Sequence, residues 1–199
     1  MLEVITGCMF SGKTAELIRL LERMRIAKLK IAVFKPKIDT RTQNQIKSRN
    51  GNELEALVIN DPKEILDYVV QNQVDVIAID EAQFFSEELV DVCDELADLS
   101  YHVIVAGLDT DYLDKPFETM AQLIAKADKI TKLTAVCMEC GAEATKTYRW
   151  RNRKDRIIVG DSDMYKALCR KCYAMNMRAK HKRPINMRFG YEPRTKTSK

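Results

Sequence analysis

The stretch GCMFSGKT, Gly7 to Thr14, decides the fold, and it follows directly on the apolar run LEVIT, Leu2 to Thr6. Glycine, four residues, then Gly-Lys-Thr is the pattern of a phosphate cradle. The glycines let the backbone turn its N–H groups inward, forming a nest at the positive end of the helix that follows. Lys13 adds a point charge near the β- and γ-phosphates, and the Thr14 hydroxyl can ligate Mg²⁺. The whole loop, Gly7, Cys8, Met9, Phe10, Ser11, Gly12, Lys13 and Thr14, is therefore the expected phosphate-binding segment for a nucleotide. The chain has only seven glycines, so two at the required positions are uncommon by chance. The alternative is a plain strand–helix turn.

Outward from this loop, strand and helix alternate. Leu17, Leu20, Leu21 and Met24 recur at helical spacing, which predicts a helix to about Lys28. KIAVFK (Lys30–Lys35), closed by Pro36, predicts a second strand, and residues 37–60 a loop with a short hairpin. Asp61-Pro62-Lys63-Glu64 is a helix start, with Asp as cap, Pro next and Glu three after the cap. VDVIAID (Val74–Asp80) predicts a strand covered on both faces. Ser86 opens a helix that carries Leu89, Val92, Cys93 and Leu96 on one face, so Cys93 is a small core residue. HVIVAG (His102–Gly107) is a further strand, with a helix near Thr119–Ala127 and a strand near Ile130–Val136 to follow. This alternation predicts an α/β domain: a mostly parallel P-loop sheet with helices on both faces. From Cys137 the pattern turns short, polar and cysteine-punctuated. The expected division is residues 1–136 as the nucleotide-binding domain, 137–179 as a small metal-bound domain, and 180–199 as a basic tail.

VDVIAID also ends in an acid pair. Asp80 suits Mg²⁺ held through water, and Glu81 can take a proton from an attacking hydroxyl or water. Glu81 as a mere strand end is the plainer reading. Asp80-Glu81-Ala82-Gln83 also resembles the DExx box of helicases, which usually need two such domains and a basic strand-binding surface. Net charge argues against that surface. The chain is +4, but Lys180 to Lys199 holds seven basic residues against one acid, Glu192, which leaves residues 1–179 at −2. The body is therefore not a nucleic-acid-binding surface. The tail reads as a solvated terminus or as an RNA- or partner-binding arm.

Cys137, Cys140, Cys169 and Cys172 form two C-x-x-C pairs with 28 residues between them. Four thiolates suit tetrahedral Zn²⁺ with no open position, hence a structural metal. Free thiols or a redox pair are the alternatives. Residues 141–168 then form a loop tied at its base. No apolar run approaches the roughly 18 residues of a membrane span, and no secretory leader is evident. The expected location is the cytoplasm.

Taken jointly, the P-loop, Lys35-Pro-Lys-Ile-Asp-Thr-Arg41, Asp80-Glu-Ala-Gln-Phe-Phe85, Gly107-Leu-Asp, Lys115-Pro-Phe117, Lys132-Leu-Thr-Ala-Val-Cys137 and the cysteine pairs resemble the type II (cellular-type) thymidine kinases, from Leu2 to about Tyr173. The resemblance implies ATP-dependent phosphorylation of the 5′-hydroxyl of thymidine or deoxyuridine, in deoxynucleotide salvage for DNA synthesis. It implies a RecA-like domain, a zinc-tethered lasso over the nucleoside, a homotetramer and feedback binding of dTTP. By position, Glu81 is the base, and Lys13 and Arg41 stabilise the moving phosphoryl charge. Asp39, Thr14 and Asp80 surround Mg²⁺. Phe84 packs on the base, and Tyr112 and Phe117 wall the nucleoside pocket. Met9, Leu108 and Thr147 surround the thymine methyl. Tyr165, with Val159 and Gly160 in the same segment, lies over the sugar. Another nucleoside or nucleotide kinase on this scaffold, or a non-enzymatic ATP-binding module, stays open. Cys8 stands where proline is usual in this family. The loop works through its backbone, so phosphate binding is expected to survive, with a thiol beside the site.

Overall fold

The computed structural model describes residues 1–40, 44–48, 51–151 and 164–181. The apolar runs form β1 (Leu2–Gly7), β2 (Ile31–Pro36), β5 (Leu57–Ile59), β6 (Val76–Ile79), β7 (His102–Gly107) and β8 (Lys129–Leu133). These six strands pair in the order β5-β2-β6-β7-β1-β8, every pairing parallel. Between them run α1 (Lys13–Ile26), α2 (Lys63–Gln71), α3 (Glu88–Asp98) and α4 (Glu118–Lys126). The expected short hairpin is β3 (Gln45–Lys47) against β4 (Glu53–Glu55).

Period-two alternation divides the sheet residues between two cores. Leu2, Val4, Ile77, Ile79, Val103 and Val105 face Ile65, Leu89, Cys93, Leu96 and Leu123 of α2, α3 and α4. Ile5, Val76, Ala78, Ile104 and Ala106 face Leu17, Ile18 and Leu21 of α1. Leu17 and Ile18 are wholly buried, each contributing roughly 1.5–3 kcal/mol over an exposed side chain. The start of α2 is a reciprocal cap: Asp61 Oδ1 accepts the Lys63 amide and Glu64 Oε1 accepts the Asp61 amide, at 2.9 and 2.8 Å. Among the described residues no helix is long and apolar enough to cross a membrane.

Two elements differ from expectation, the first being β5, a parallel edge strand on β2 inside the 37–60 segment expected as a loop with a short hairpin. Second, the single strand expected over Ile130–Val136 is two, β8 and then β9 (Ala135–Val136), which leaves the parallel sheet for a small second lobe. The register gives the reason. β8 pairs with β1 only as far as Leu133 opposite Gly7, where β1 itself turns into the phosphate loop. The lobe contains β9 against β10 (Glu143–Ala144), β11 (Lys146–Arg149) against β12 (Tyr165–Leu168), and α5 (Arg170–His181). Its core joins Ala135, Ala144, Tyr148, Leu168 and Tyr173 to Cys137, Cys169 and Cys172, and takes in Cys8 of the phosphate loop.

Candidate active site and metal centre

The chain beyond the carboxyl ends of β1, β2, β6 and β7 carries Lys13, Thr14, Asp39, Asp80, Glu81, Phe84, Leu108 and Tyr112, as the crevice rule for parallel α/β sheets requires. Gly7 (φ 149°) has no room for a side chain: a Cβ there would stand 2.4 Å from the Leu133 carbonyl oxygen. Gly12 (φ 87°) caps α1 in the left-handed region, and Phe10 takes φ 69° within the loop. Lys13 Nζ donates to the Cys8 carbonyl, 2.9 Å away, across the loop. Burial lowers the Lys13 pKa, opposed first by the Glu81 carboxylate and then by Cys8, Asp80 and Asp109. The cradle lysine and the two acids therefore share one electrostatic site.

Thr14 Oγ1 donates to Asp80 Oδ2 at 3.0 Å, and Asp80 Oδ1 accepts the Glu81 amide at 2.9 Å. Two oxygen ligands thus converge from α1 and the end of β6, a donor set suited to a hard cation such as Mg²⁺. Glu81 sits in the left-handed region (φ 55°, ψ 39°), uncommon for a residue with a side chain and characteristic of functional positions. A single 3-10 turn, Ala82–Phe84, follows. Its Gln83 links the Glu81 carboxylate to the Leu108 amide. Phe84 is half-buried beside it. Asp39, after β2, is buried in an ion pair with the wholly buried Lys35 at 3.0 Å.

After β7, Leu108 packs partly buried against the main core, and Phe117 joins that core at the start of α4. Between them, Asp111 Oδ1 accepts the amides of Leu113 and Lys115, which shapes the loop holding Tyr112. The second lobe grips this loop at three points. Lys146 pairs with Asp114 at 2.6 Å, and Tyr173 Oη donates to the Tyr112 carbonyl at 3.0 Å. The buried Arg149 guanidinium stacks 3.6 Å above the Tyr112 ring centroid. The lobe also touches the phosphate loop. Thr147 Oγ1 accepts the Met9 amide at 3.0 Å, and Cys8 Sγ donates to the Ala144 carbonyl at 3.3 Å. The Cys8 thiol thus points into the lobe core, 1% exposed, and burial raises its pKa. Tyr165 is buried on β12, paired with Arg149. Arg41, Val159 and Gly160 lie outside the described residues, as does the tail beyond His181.

The four cysteine sulfurs lie within 4.8 Å of one another, with Cys140 and Cys169 sulfurs 3.6 Å apart. Tetrahedral zinc with Zn–S bonds of about 2.3 Å needs sulfurs about 3.8 Å apart, so the set fits that ion. Gly141 (φ 74°) makes the first turn possible, its amide returning to the Cys137 carbonyl at 2.9 Å. The Cys172 amide points at Cys169 Sγ, 3.4 Å away. Four thiolates would fill a tetrahedral shell, so a zinc ion here would tie β9, β12 and α5 together and leave no catalytic position.

The thymidine kinase family model matches residues 1–173. The chain belongs to the thymidine kinase family. It is an ATP-dependent kinase. The thymidine kinase of Mycoplasma genitalium is 45% identical over 171 residues, 84% of this chain and 80% of its own. That of Ureaplasma urealyticum is 47% identical over 179 residues, covering 85% and 80%, and that of a Rhodothermus species 44% over 173, covering 86% and 80%. Among solved structures, the ATPase DotB of Legionella pneumophila overlays at a TM-score of 0.37 and 20% identity, over 62% of this chain and 34% of its own. That overlap is too loose to add to the fold assignment.

Sequence reasoning did not assign roles to Gln83, Lys35, Lys146, Arg149 or Tyr173. Gln83 and Lys35 lie inside the Asp80–Phe85 and Lys35–Arg41 motifs, which are the available signal. The other three act across the chain and carry no local signature.

Proposed function

We propose that this chain transfers the γ-phosphoryl group of ATP to the 5′-hydroxyl of thymidine, or of deoxyuridine, giving the 5′-monophosphate and ADP. The observation that carries the reading is the convergence of Lys13, Thr14, Asp80 and Glu81 at the ends of β1 and β6. The nucleoside oxygen forms its bond to the γ-phosphorus as the bond to the bridging oxygen breaks. The electron pair leaves on ADP, and the hydroxyl proton passes to Glu81. Lys13, with Arg41 assigned through the family pattern, stabilises the charge on the moving phosphoryl group. Thr14 and Asp80, with Asp39 nearby in the proposal, would hold Mg²⁺, which would supply neutralising charge for the phosphates when bound.

On the acceptor side, Phe84 packs on the base and Tyr112 and Phe117 wall the pocket. Met9, Leu108 and Thr147 surround the thymine methyl, and Tyr165, Val159 and Gly160 cover the sugar. The contact between Thr147 and the Met9 amide supports grouping those two. Family membership also supports a cytoplasmic homotetramer with dTTP feedback, zinc on the four cysteines and no nucleic-acid partner. A panel of nucleosides with ATP and Mg²⁺, products identified by mass, tests the assignment. Thymidine and deoxyuridine should be phosphorylated. One methyl is worth only about 1–3 kcal/mol, whereas deoxycytidine presents an amino donor where the pocket expects a carbonyl acceptor. Comparable kcat/KM for thymidine and deoxycytidine would overturn the reading in favour of a broader nucleoside kinase.

A further inference from the structure

The side chain of Gln83 is 5% exposed and makes two hydrogen bonds that fix its orientation. Its Oε1 accepts the Leu108 amide at 2.9 Å. A backbone N–H can only donate, so the oxygen end of the amide must face Leu108. The nitrogen end then faces the other way, and Nε2 donates to Glu81 Oε2 at 2.5 Å. The reverse orientation would set donor against donor at Leu108 and acceptor against carboxylate at Glu81.

The space around this amide is closed. A Cβ at Gly107, the last residue of β7, would stand 2.9 Å from Gln83 Oε1 and 2.6 Å from the Met120 sulfur. The end of β7 therefore lacks a side chain where Gln83 and α4 come together. Glu81 itself is held in left-handed backbone, its amide on Asp80 Oδ1. Backbone and carboxylate of this one residue are each fixed by a separate neighbour.

We infer that Gln83 is a positioning residue for the base, locking the Glu81 carboxylate in the rotamer that meets the 5′-hydroxyl. The inference rests on the assignment of Glu81 as base. The tie to Leu108 also registers the carboxylate to the strand end that carries a proposed wall of the nucleoside pocket. Misplacing a reacting group by about 1 Å can cost about 10²-fold in rate. Loss of the bond to Glu81 falls on turnover, whereas loss of the bond to the Leu108 amide bears on a proposed nucleoside contact.

The test is a double-mutant cycle under single-turnover conditions, with thymidine and ATP affinities measured by calorimetry and folding followed by thermal melting. Gln83→Met removes both bonds at similar volume. Gln83→Glu keeps an acceptor for the Leu108 amide but sets a carboxylate against Glu81, which separates the structural tie from the positioning of the base. Both variants should lose roughly 10- to 10²-fold in rate, with ATP affinity nearly unchanged in both and thymidine affinity nearly unchanged in Gln83→Glu. On a Glu81→Gln background, neither should cost more than about twofold further, since the group being positioned is already disabled. Wild-type turnover in Gln83→Glu, or an equal fall on both backgrounds, overturns the positioning role. Should Gln83→Met fail to fold, Gln83→Glu carries the test alone. If Glu81→Gln is itself fully active, the base assignment fails and this inference falls with it. If Glu81→Gln is dead and the Gln83 variants are normal, this inference alone is wrong.

Discussion

The hydroxyl of Tyr173 donates to the carbonyl oxygen of Tyr112, 3.0 Å away and 61 residues earlier in the chain. Tyr173 directly follows Cys172, one of the four clustered cysteines, so one peptide unit separates that cluster from the residue that bonds the Tyr112 loop. With Lys146 on Asp114 and Arg149 on the Tyr112 ring, the lobe holds that loop by three chemically different contacts. The loop carries proposed nucleoside contacts and no part of the phosphate cradle, so these contacts bear on KM for thymidine first.

Tyr173→Phe keeps the ring and its edge packing on Tyr148, and removes only the hydroxyl. A neutral hydrogen bond is worth about 0.5–1.5 kcal/mol net, which converts to roughly two- to twelvefold. The expected result is a rise of that size in KM for thymidine, with kcat and KM for ATP within about twofold. Steady-state kinetics with each substrate varied in turn would check it. Equal rises in both KM values would show that the contact supports the whole site and not the acceptor side.

Zinc loss should reach further than the Tyr112 loop. Through Ala144 and Thr147 the lobe also holds the Cys8 thiol and the Met9 amide of the phosphate loop. Cys140→Ser or Cys172→Ser should therefore weaken thymidine binding strongly and ATP binding measurably, with the parallel sheet still folded. The purified enzyme should carry about one zinc per chain. Metal analysis finding none in reduced, active protein would contradict the four-thiolate assignment.

The phosphate loop was legible because its chemistry is local: eight consecutive residues between a strand and a helix hold every required group. The zinc set was legible for the same reason, two short turns with fixed spacing. The break between β8 and β9 was not, because Leu133, Thr134 and Ala135 carry no turn signal. The register against β1 ends that strand, and register is a property of the sheet. Gln83 is the intermediate case. Its residue type stands in the Asp80–Phe85 motif, but its partner Leu108 lies 25 residues on and becomes a neighbour only when β6 and β7 pair. The lobe's hold on Tyr112 needed still longer separations, and nothing within β11 or α5 announces it.

The cysteines make a prediction about reactivity. Burial raises the pKa of Cys8, only partly offset by Lys13, and raises that of Cys93 also. A raised pKa means a smaller thiolate fraction at neutral pH, growing only as the pH climbs. Cys8 therefore sits beside the site without being a ready oxidation target. The zinc-loaded native enzyme should react negligibly with a thiol reagent at pH 7–8, and the unfolded, chelated chain should titrate all six thiols. Rapid modification of Cys8 in the native protein would mean that the phosphate loop leaves the lobe core often.

Glu81→Gln is the decisive substitution for the reaction. The 5′-hydroxyl is a poor nucleophile until its proton has somewhere to go, and Glu81 is the carboxylate whose charge acts first on Lys13 in the cradle. The amide keeps the size of the side chain, and its oxygen can still accept from Gln83 Nε2, so the local geometry is retained. It cannot take the proton. The expected fall in kcat is about 10²–10⁴-fold, the range for removing general-base catalysis. Thymidine and ATP affinities by calorimetry should change little, because the loss falls on the transition state. Lys13→Ala should behave differently, lowering kcat and weakening ATP binding together, since its charge serves both states. A Glu81→Gln enzyme that keeps more than about a tenth of wild-type kcat in a chemistry-limited assay would exclude the base assignment. The proton would then pass to the phosphate or to Asp39, and Glu81 would be left to orient the hydroxyl from its place beside Gln83.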